Sequence, residues 1–235
     1  VKAAPNTMKT IATKTTENYT FEVLTEGNDS LKEGYNIFYI RAFDWDNKSI
    51  AKDLSINLMM TMDDMMHSTP FSTNIVNIDN REYIKVEATF VMPNTEMGKW
   101  NINFKSDDIY IDENIELNVS PTGMVKSFVY NDKSYFFVIH SPLTPKVGMN
   151  NFILQSYIRA NMMTYSTINN LEIEAEPFMP SMGHGSNGNK NPTITKDGVY
   201  TGTVNFSMTG DWEVRLTIKE NDVVIGTPIF KMDVH

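Results

Sequence analysis

The chain has 235 residues, a formal net charge of −9 and a sequence pI of about 4.9. This acidity argues against a nucleic-acid partner, because phosphate binding needs a basic face, and it is compatible with cation binding. The sequence has no cysteine, which excludes disulfides and thiolate metal sites. No apolar run approaches the roughly 18–20 residues that a membrane-spanning helix needs, so we expect no transmembrane segment in this chain.

Short segments of alternating polar and apolar residues recur along the sequence. A period of two is typical of a β-strand with one buried and one solvated face. Turn-forming residues separate the segments, and no long stretch has helical periodicity. The clearest segments are, in chain order, 19–25, 83–91, 134–140, 200–208 and 212–218. About seven short strands in each half predict an all-β chain built from immunoglobulin-like sandwiches.

The two halves of the sequence share the same landmarks in the same order. The paired segments are 19–23 with 135–139, 34–38 with 148–152, 62–67 with 179–184, 90–92 with 206–208, and 98–100 with 210–212. This order predicts an internal duplication, with tandem β-sandwich domains at 8–119 and 124–235 and a linker at 120–123. Trp100 and Trp212 are expected at equivalent buried positions, because both follow the pattern Gly-x-Trp.

A Met-x-x-Met-x-His pattern occurs in each half, at residues 62–67 and 179–184. Thioethers and imidazoles are soft or borderline ligands, which favour Cu(I) over magnesium, calcium or zinc. A further methionine near each Gly-x-Trp segment supplies a fourth candidate. The predicted ligand sets are Met179, Met182, His184 and Met208 in the second half, and Met62, Met65, His67 and Met92 in the first.

The two predicted sites differ in loop chemistry. Pro180 and Gly183 prevent a regular strand and let the second loop curl around one point. The first loop lacks both residue types and contains Asp63 and Asp64, which predict weaker Cu(I) binding or a preference for harder ions. The alternative is that these methionines only fill the core, as flexible apolar side chains do, and that the histidines cap turns.

Other motifs in the sequence do not predict catalysis. Residues 183–188 fit G-x-G-x-x-G, but no helical segment follows, so a dinucleotide site is not expected. No G-x-S-x-G elbow accompanies His184, and no acidic partner for it is identifiable. Asp44-Trp-Asp-Asn47 is interpreted as a hairpin turn, with calcium binding as the alternative. We therefore predict no catalytic residues, no organic cofactor and no enzymatic activity.

The segments Phe178-Met-Pro-Ser-Met-Gly-His-Gly-Ser186, Gly198-Val-Tyr-Thr-Gly202 and Met208-Thr-Gly-Asp-Trp-Glu-Val214 resemble the YtkA-like/FixH-like domain family. The resemblance covers most of 134–235, whereas the first half is similar only in its spacing and its Gly-x-Trp. It implies a small extracytoplasmic β-sandwich, in the periplasm or at the cell surface, associated with copper handling or oxidase assembly. It also implies that the Met-Pro-x-Met-x-His loop holds the metal ligands. A lipid anchor upstream of this chain is compatible with that location.

Two function classes follow from these observations. The first is a non-enzymatic domain pair that holds Cu(I) for transfer or buffering. The second is a structural or interaction module that binds a protein partner in the cell envelope without a metal. A Met/His loop that is intact in both copies favours the first class. Sulfurs of Met179 and Met182 that point to opposite faces, or lie buried in separate parts of the core, favour the second.

Overall fold

The structure is a computed structural model, which describes residues 8–27, 30–62 and 65–235. The chain divides into two compact units, with the boundary between Pro121 and Thr122. We call them unit 1 and unit 2. Each consists of two antiparallel β-sheets, which confirms the prediction of an all-β chain. Within the described ranges, no helix is both long enough and apolar enough to cross a bilayer.

The described residues of unit 1 form nine strands and one short 3₁₀-helix, at Ala51–Asp53. The strands are β1 (Met8–Thr15), β2 (Tyr19–Glu26), β3 (Gly34–Asp44), β4 (Ser55–Met62), β5 (Met65–Ser68), β6 (Phe71–Ile78), β7 (Arg81–Phe90), β8 (Gly98–Ser106) and β9 (Ile111–Leu117). One sheet has the order β1-β2-β3-β7-β6, and the other has the order β5-β4-β8-β9.

Unit 2 contains the remaining strands. They are β10 (Val125–Tyr130), β11 (Lys133–Ser141), β12 (Gly148–Asn161), β13 (Thr164–Thr167), β14 (Glu172–Met179), β15 (His184–Gly185), β16 (Lys190–Lys196), β17 (Val199–Phe206), β18 (Gly210–Glu220), β19 (Val223–Gly226) and β20 (Ile229–Val234). One sheet has the order β10-β11-β12-β17-β16, with β13 paired to β12. The other has the order β15-β14-β18-β19, with β20 also paired to β18.

The strand order of unit 2 repeats that of unit 1. If β13 and β19 are set aside, each strand of unit 1 has a counterpart at the same place in the corresponding sheet of unit 2. Each of the five alternating segments predicted from the sequence coincides with one strand, because alternation leaves one face of a strand apolar for burial. The segments 83–91 and 200–208 extend one and two residues past the ends of β7 and β17.

Aromatic side chains from both sheets fill the core of each unit. In unit 1, Phe21 of β2 stacks on Phe104 of β8 with ring centroids 4.7 Å apart. In unit 2, Phe206 of β17 packs against Trp212 of β18 at 5.5 Å. Trp100 and Trp212 are both fully buried, as predicted. These contacts across the two sheets make each unit a β-sandwich.

An asparagine at the start of β3 and of β12 fixes the preceding loop in the same way. Asn36 Nδ2 donates to the carbonyls of Lys32 and Gly34, and its Oδ1 accepts from the Lys32 amide. Asn150 makes the same three bonds with Lys146 and Gly148. Gly34 and Gly148 have φ angles of 102° and 99°, a region that favours glycine. The paired Gly-x-Asn landmarks therefore encode one local structure.

We expect Asn150→Ala to lower the free energy of unfolding of unit 2 by about 1–2 kcal/mol, because three hydrogen bonds of the loop are lost and the groups are partly exposed. Asn151→Ala is the matched control, since Asn151 is exposed and its side chain makes no hydrogen bond within the described residues. Chemical denaturation followed by circular dichroism measures both variants. Equal stability of the two would contradict the role given to Asn150.

Candidate metal-binding site

A row of three side chains crosses the second sheet of unit 2. His184 on β15 pairs with Met179 on β14. Phe178 pairs with Glu213 on β18, so Met179 lies beside Trp212 at the next position. Residues directly opposite each other in a sheet share a face, and both Met179 and Trp212 are buried in the core. The His184 ring meets the Trp212 ring edge-on, with centroids 5.8 Å apart.

Unit 1 has the same row, formed by His67, Met60 and Trp100. Met60 on β4 pairs with His67 on β5 and with Trp100 on β8. The two rings are again edge-on, with centroids 5.3 Å apart. All three side chains are buried, whereas His184 of unit 2 is only half-buried.

The structure corrects the sequence alignment of the two rows. Matching by Met-x-x-Met-x-His spacing equates Met62 with Met179, but the strand pairing equates Met60 with Met179. The reason is the hairpin: in unit 1 the strands continue to the pair Met62–Met65, whereas in unit 2 the turn follows directly after Met179. Hairpin geometry sets the register, so identical spacing in two loops of different length does not place identical ligands.

The tryptophan of each row also binds the fourth predicted methionine, through its backbone. Trp212 Nε1 donates to the carbonyl of Met208, and Trp100 Nε1 donates to the carbonyl of Met92, each at 2.9 Å. These bonds hold the Met208 and Met92 backbones beside the rows. The side chain of Met208 is exposed, and that of Met92 is half-buried.

The side chains of Met182 and Met179 lie in different surroundings. The amides of Met182 and Gly183 both donate to the Met179 carbonyl, at 3.3 and 2.9 Å, and close a tight turn. Met182 is 62% exposed on this turn, whereas Met179 is 1% exposed in the core. Met179, His184 and the Met208 backbone therefore surround Trp212, while Met182 lies in solvent at the tip of the turn.

In unit 1 the predicted ligands are distributed differently. A Cβ atom on Gly98 would lie 3.1 Å from Met60 Sδ and 3.2 Å from Met62 Sδ, so both sulfurs lie over the same glycine. Met65 is exposed. Asp63 and Asp64, which the sequence associated with harder ions, lie outside the described residues.

The hydrogen bond of His184 leaves its second nitrogen suited to a ligand. Its Nδ1 lies 2.9 Å from the carbonyl of Gly185. A carbonyl accepts only from a protonated nitrogen, so the lone pair of the neutral ring is on Nε2, the usual arrangement of a metal-binding histidine. The corresponding Nδ1 of His67 is 3.4 Å from the carbonyl of Ser68.

One feature of both sites was not predicted from the sequence. The residue two positions after each histidine of the rows donates a hydrogen bond from its hydroxyl to the opposite sheet of the sandwich. Thr69 donates to the carbonyl of Thr89, and Ser186 donates to the carbonyl of Asn205. These bonds anchor β5 and β15 to the core of each sandwich. The signal was present as His-x-Ser/Thr in both halves.

The described residues contain no group of three or more histidine, aspartate or glutamate side chains arranged to hold a metal ion. Any ion held at these rows would therefore depend on the methionine thioethers together with one imidazole.

Residues 131–217 match the model of the YtkA-like family. The chain contains a YtkA-like domain. The match lies within unit 2 and includes the whole row of His184, Met179 and Trp212. It does not extend to unit 1, and it does not test the similarity to FixH-like domains.

Two solved structures of another protein are similar over most of the chain. Domains 5–6 of the S-layer protein SbsC are 15% identical, with 97% of this chain and 98% of that chain covered and a TM-score of 0.36. Domains 6–7, in a monoclinic form, are 11% identical, with 93% and 99% covered and a TM-score of 0.28. At these TM-scores the similarity does not indicate a function for this chain. A search of curated proteins found no match.

Proposed function

We propose that this chain is a non-enzymatic, extracytoplasmic pair of immunoglobulin-like domains whose YtkA-like unit binds Cu(I). The observation that carries the proposal is the half-buried His184, which lies beside the Met179 side chain and over Trp212, with Nδ1 hydrogen-bonded. His184 Nε2 and the Met179 thioether are the inner ligands. Met182 and Met208 complete the set from the two flanking turns.

The donor types support Cu(I) among the available metals. Thioether sulfur is a soft ligand that binds Cu(I) and interacts weakly with magnesium, calcium or zinc. The exposed Met182 lies on a turn that contains Gly183, with a φ of 69°, and such a turn can rearrange at low cost. Closure of this turn would bring the Met182 sulfur to a cation at His184.

Internal duplication is part of the proposal. The matching strand order, the paired Asn36 and Asn150 bonds, and the paired tryptophan-to-carbonyl bonds support two tandem copies joined at 120–123. The extracytoplasmic location, in the periplasm or at the cell surface, rests on the YtkA-like domain. Transfer of Cu(I) to or from a protein partner of the cell envelope is the proposed use of the site.

Anaerobic titration of the full chain with Cu(I) against a competing chelator tests the site. We expect His184→Ala to weaken binding in unit 2 by about tenfold or more, because one ligand is lost. His67→Ala is the matched control in unit 1, where the row is buried and entry of an ion requires opening of the core. Binding should also weaken at acidic pH, since imidazole must be unprotonated to ligate. Identical titrations of the parent and His184→Ala would contradict the proposal.

The second candidate is an interaction module without a metal. It is favoured by the burial of Met179 away from the exposed Met182, which is what packing alone would produce. Met65, Met66 and Met97 of unit 1 are also exposed and would form an apolar contact surface. A parent protein that binds no Cu(I) in the titration would favour this candidate.

A further inference from the structure

A polar cleft of about 750 Å³ opens at one end of unit 1. It lies where β3 ends and β7 begins, at the opposite end of these strands from the Phe90 region. The end of β3, the following turn, the 3₁₀-helix and the β6–β7 turn form its walls. Concave sites of this size accommodate small ligands or single units of a polymer.

The cleft is basic, although the chain is acidic. Four cationic side chains line it, against two carboxylates, Asp53 and Glu82; the cations are Arg41, Lys48, Lys52 and Arg81. Lys52 is paired with Glu82 at 2.7 Å. Neither Lys48 nor Arg81 forms an ion pair within the part of the chain that the structure describes. Arg41 is paired with Glu22, so Lys48 and Arg81 stand against one further lining carboxylate, Asp53. The lining therefore keeps an excess of positive charge, which favours an anionic ligand.

Hydrogen bonds hold part of the wall in place before any ligand arrives. The guanidinium of Arg41 bonds to Glu22 at 3.3 Å and to Asn47 Oδ1 at 3.2 Å, and it lies 4.0 Å from the centre of the Phe43 ring. Asp44 Oδ1 accepts from the amides of Asp46 and Lys48, at 3.0 and 2.9 Å. Such preorganisation lowers the entropy cost of binding.

An exposed tryptophan belongs to the same turn. Trp45 is 75% exposed and lies between Asp44 and Asn47, in the turn that supplies Asn47 and Lys48 to the cleft wall. The ring is not committed to the core, so its apolar face is available to a ligand at the rim of the cleft. Its negative face attracts the polarised C–H groups of a sugar ring, whereas the amides of Asn47 and Asn80 suit hydroxyls.

We propose that this cleft binds an acidic sugar of a polysaccharide. Lys48 and Arg81 face the carboxylate or phosphate of the sugar, and Trp45 stacks on its ring. The positive charge of the lining accounts for the anionic group. The exposed ring of Trp45, on the turn that also supplies Asn47 to the lining, accounts for the sugar. A long nucleic acid is disfavoured, because its many phosphates would meet the overall negative charge of the chain.

Binding of oligosaccharides to the full chain tests this proposal. The probes are an oligogalacturonate, which carries carboxylates, a phosphomannan, which carries phosphates, neutral maltooligosaccharides, and polyglutamate as an anion without sugar. We expect one or both acidic sugars to bind, and the neutral sugar not to bind. Which acidic sugar binds more tightly identifies the anionic group.

Two variants and a control separate the contributions. The double variant Lys48→Ser/Arg81→Ser should weaken acidic-sugar binding by about tenfold or more, because charge-assisted hydrogen bonds are lost. Trp45→Ala should weaken binding of the sugar but not of polyglutamate. Lys133→Ser/Lys231→Ser removes two exposed charges from unit 2 and should change nothing.

Three results would overturn the proposal: no binding of either acidic sugar, equal binding by parent and double variant, or polyglutamate binding as tight as sugar binding and unaffected by Trp45→Ala. The last would show attraction by charge alone. None of these results bears on the Cu(I) site in unit 2.

Discussion

Replacing Trp212 with alanine is expected to lower the free energy of unfolding of unit 2 by about 3–5 kcal/mol. The side chain is fully buried and packs against Phe206 and His184 at ring distances of 5.5 and 5.8 Å. Its loss leaves a cavity and an unpaired carbonyl on Met208, which now accepts from Nε1 at 2.9 Å. Both effects occur at the row of His184, Met179 and Trp212. The candidate site and the stability of unit 2 therefore depend on the same tryptophan ring.

Hydrogen exchange of the backbone amides measures this effect, because it reports each unit separately where a single melting temperature would not. Trp100→Ala should destabilise unit 1 by a similar amount, since that ring is equally buried and bonded. Trp45→Ala is the control, because Trp45 is exposed. An unchanged protection pattern of β14 and β18 in Trp212→Ala would show that the ring is dispensable.

Unit 2 is expected to lose stability between neutral pH and about pH 4 because of His140. Burial lowers the pKa of His140 to about 4, since the charged ring is poorly solvated in the fold. The unfolded chain has an ordinary histidine pKa of about 6.5. Between these two values the unfolded state binds the proton and the folded state does not, so stability falls as pH falls. The full difference amounts to about 3 kcal/mol, because each pKa unit corresponds to about 1.4 kcal/mol.

The variant His140→Gln tests this assignment, because glutamine does not titrate. Denaturant unfolding at a series of pH values from 7 to 4 should give a shallower loss for the variant than for the parent. The aspartates and glutamates are the same in the parent and the variant. The difference between their plots of unfolding free energy against pH therefore reports His140 alone. Parallel curves would mean that His140 is solvated in the folded state.

Much of the fold could be predicted from two features of the sequence, the alternation of polar and apolar residues and the internal repeat. The aromatic residues Tyr19 and Phe21 are two positions apart, as are Tyr135 and Phe137. This spacing predicts a strand, because residues two positions apart lie on the same face of a sheet. Gly34 and Gly148 mark the same loop, since few residues other than glycine adopt their positive φ. Local chemistry of this kind acts over a few residues, and a sequence shows it directly.

The candidate site was only partly predictable. His184, His67 and the two buried tryptophans were identified from their spacing. The pairing of Met60 with His67, in place of Met62, was not, because the hairpin length decides the register. The cleft around Arg41 and Arg81 had no signal in the sequence, since its walls come from segments 40 residues apart.

By itself, the sequence determined the all-β class, the strand-forming segments and the set of soft donors, because each depends on local periodicity or on residue type. Only the tertiary structure decided which donors share a face. Burial placed Met179 in the core and left Met182 in solvent, although three positions separate them. A β-turn reverses the chain within those positions, and which side of it meets the core depends on contacts with strands distant in sequence.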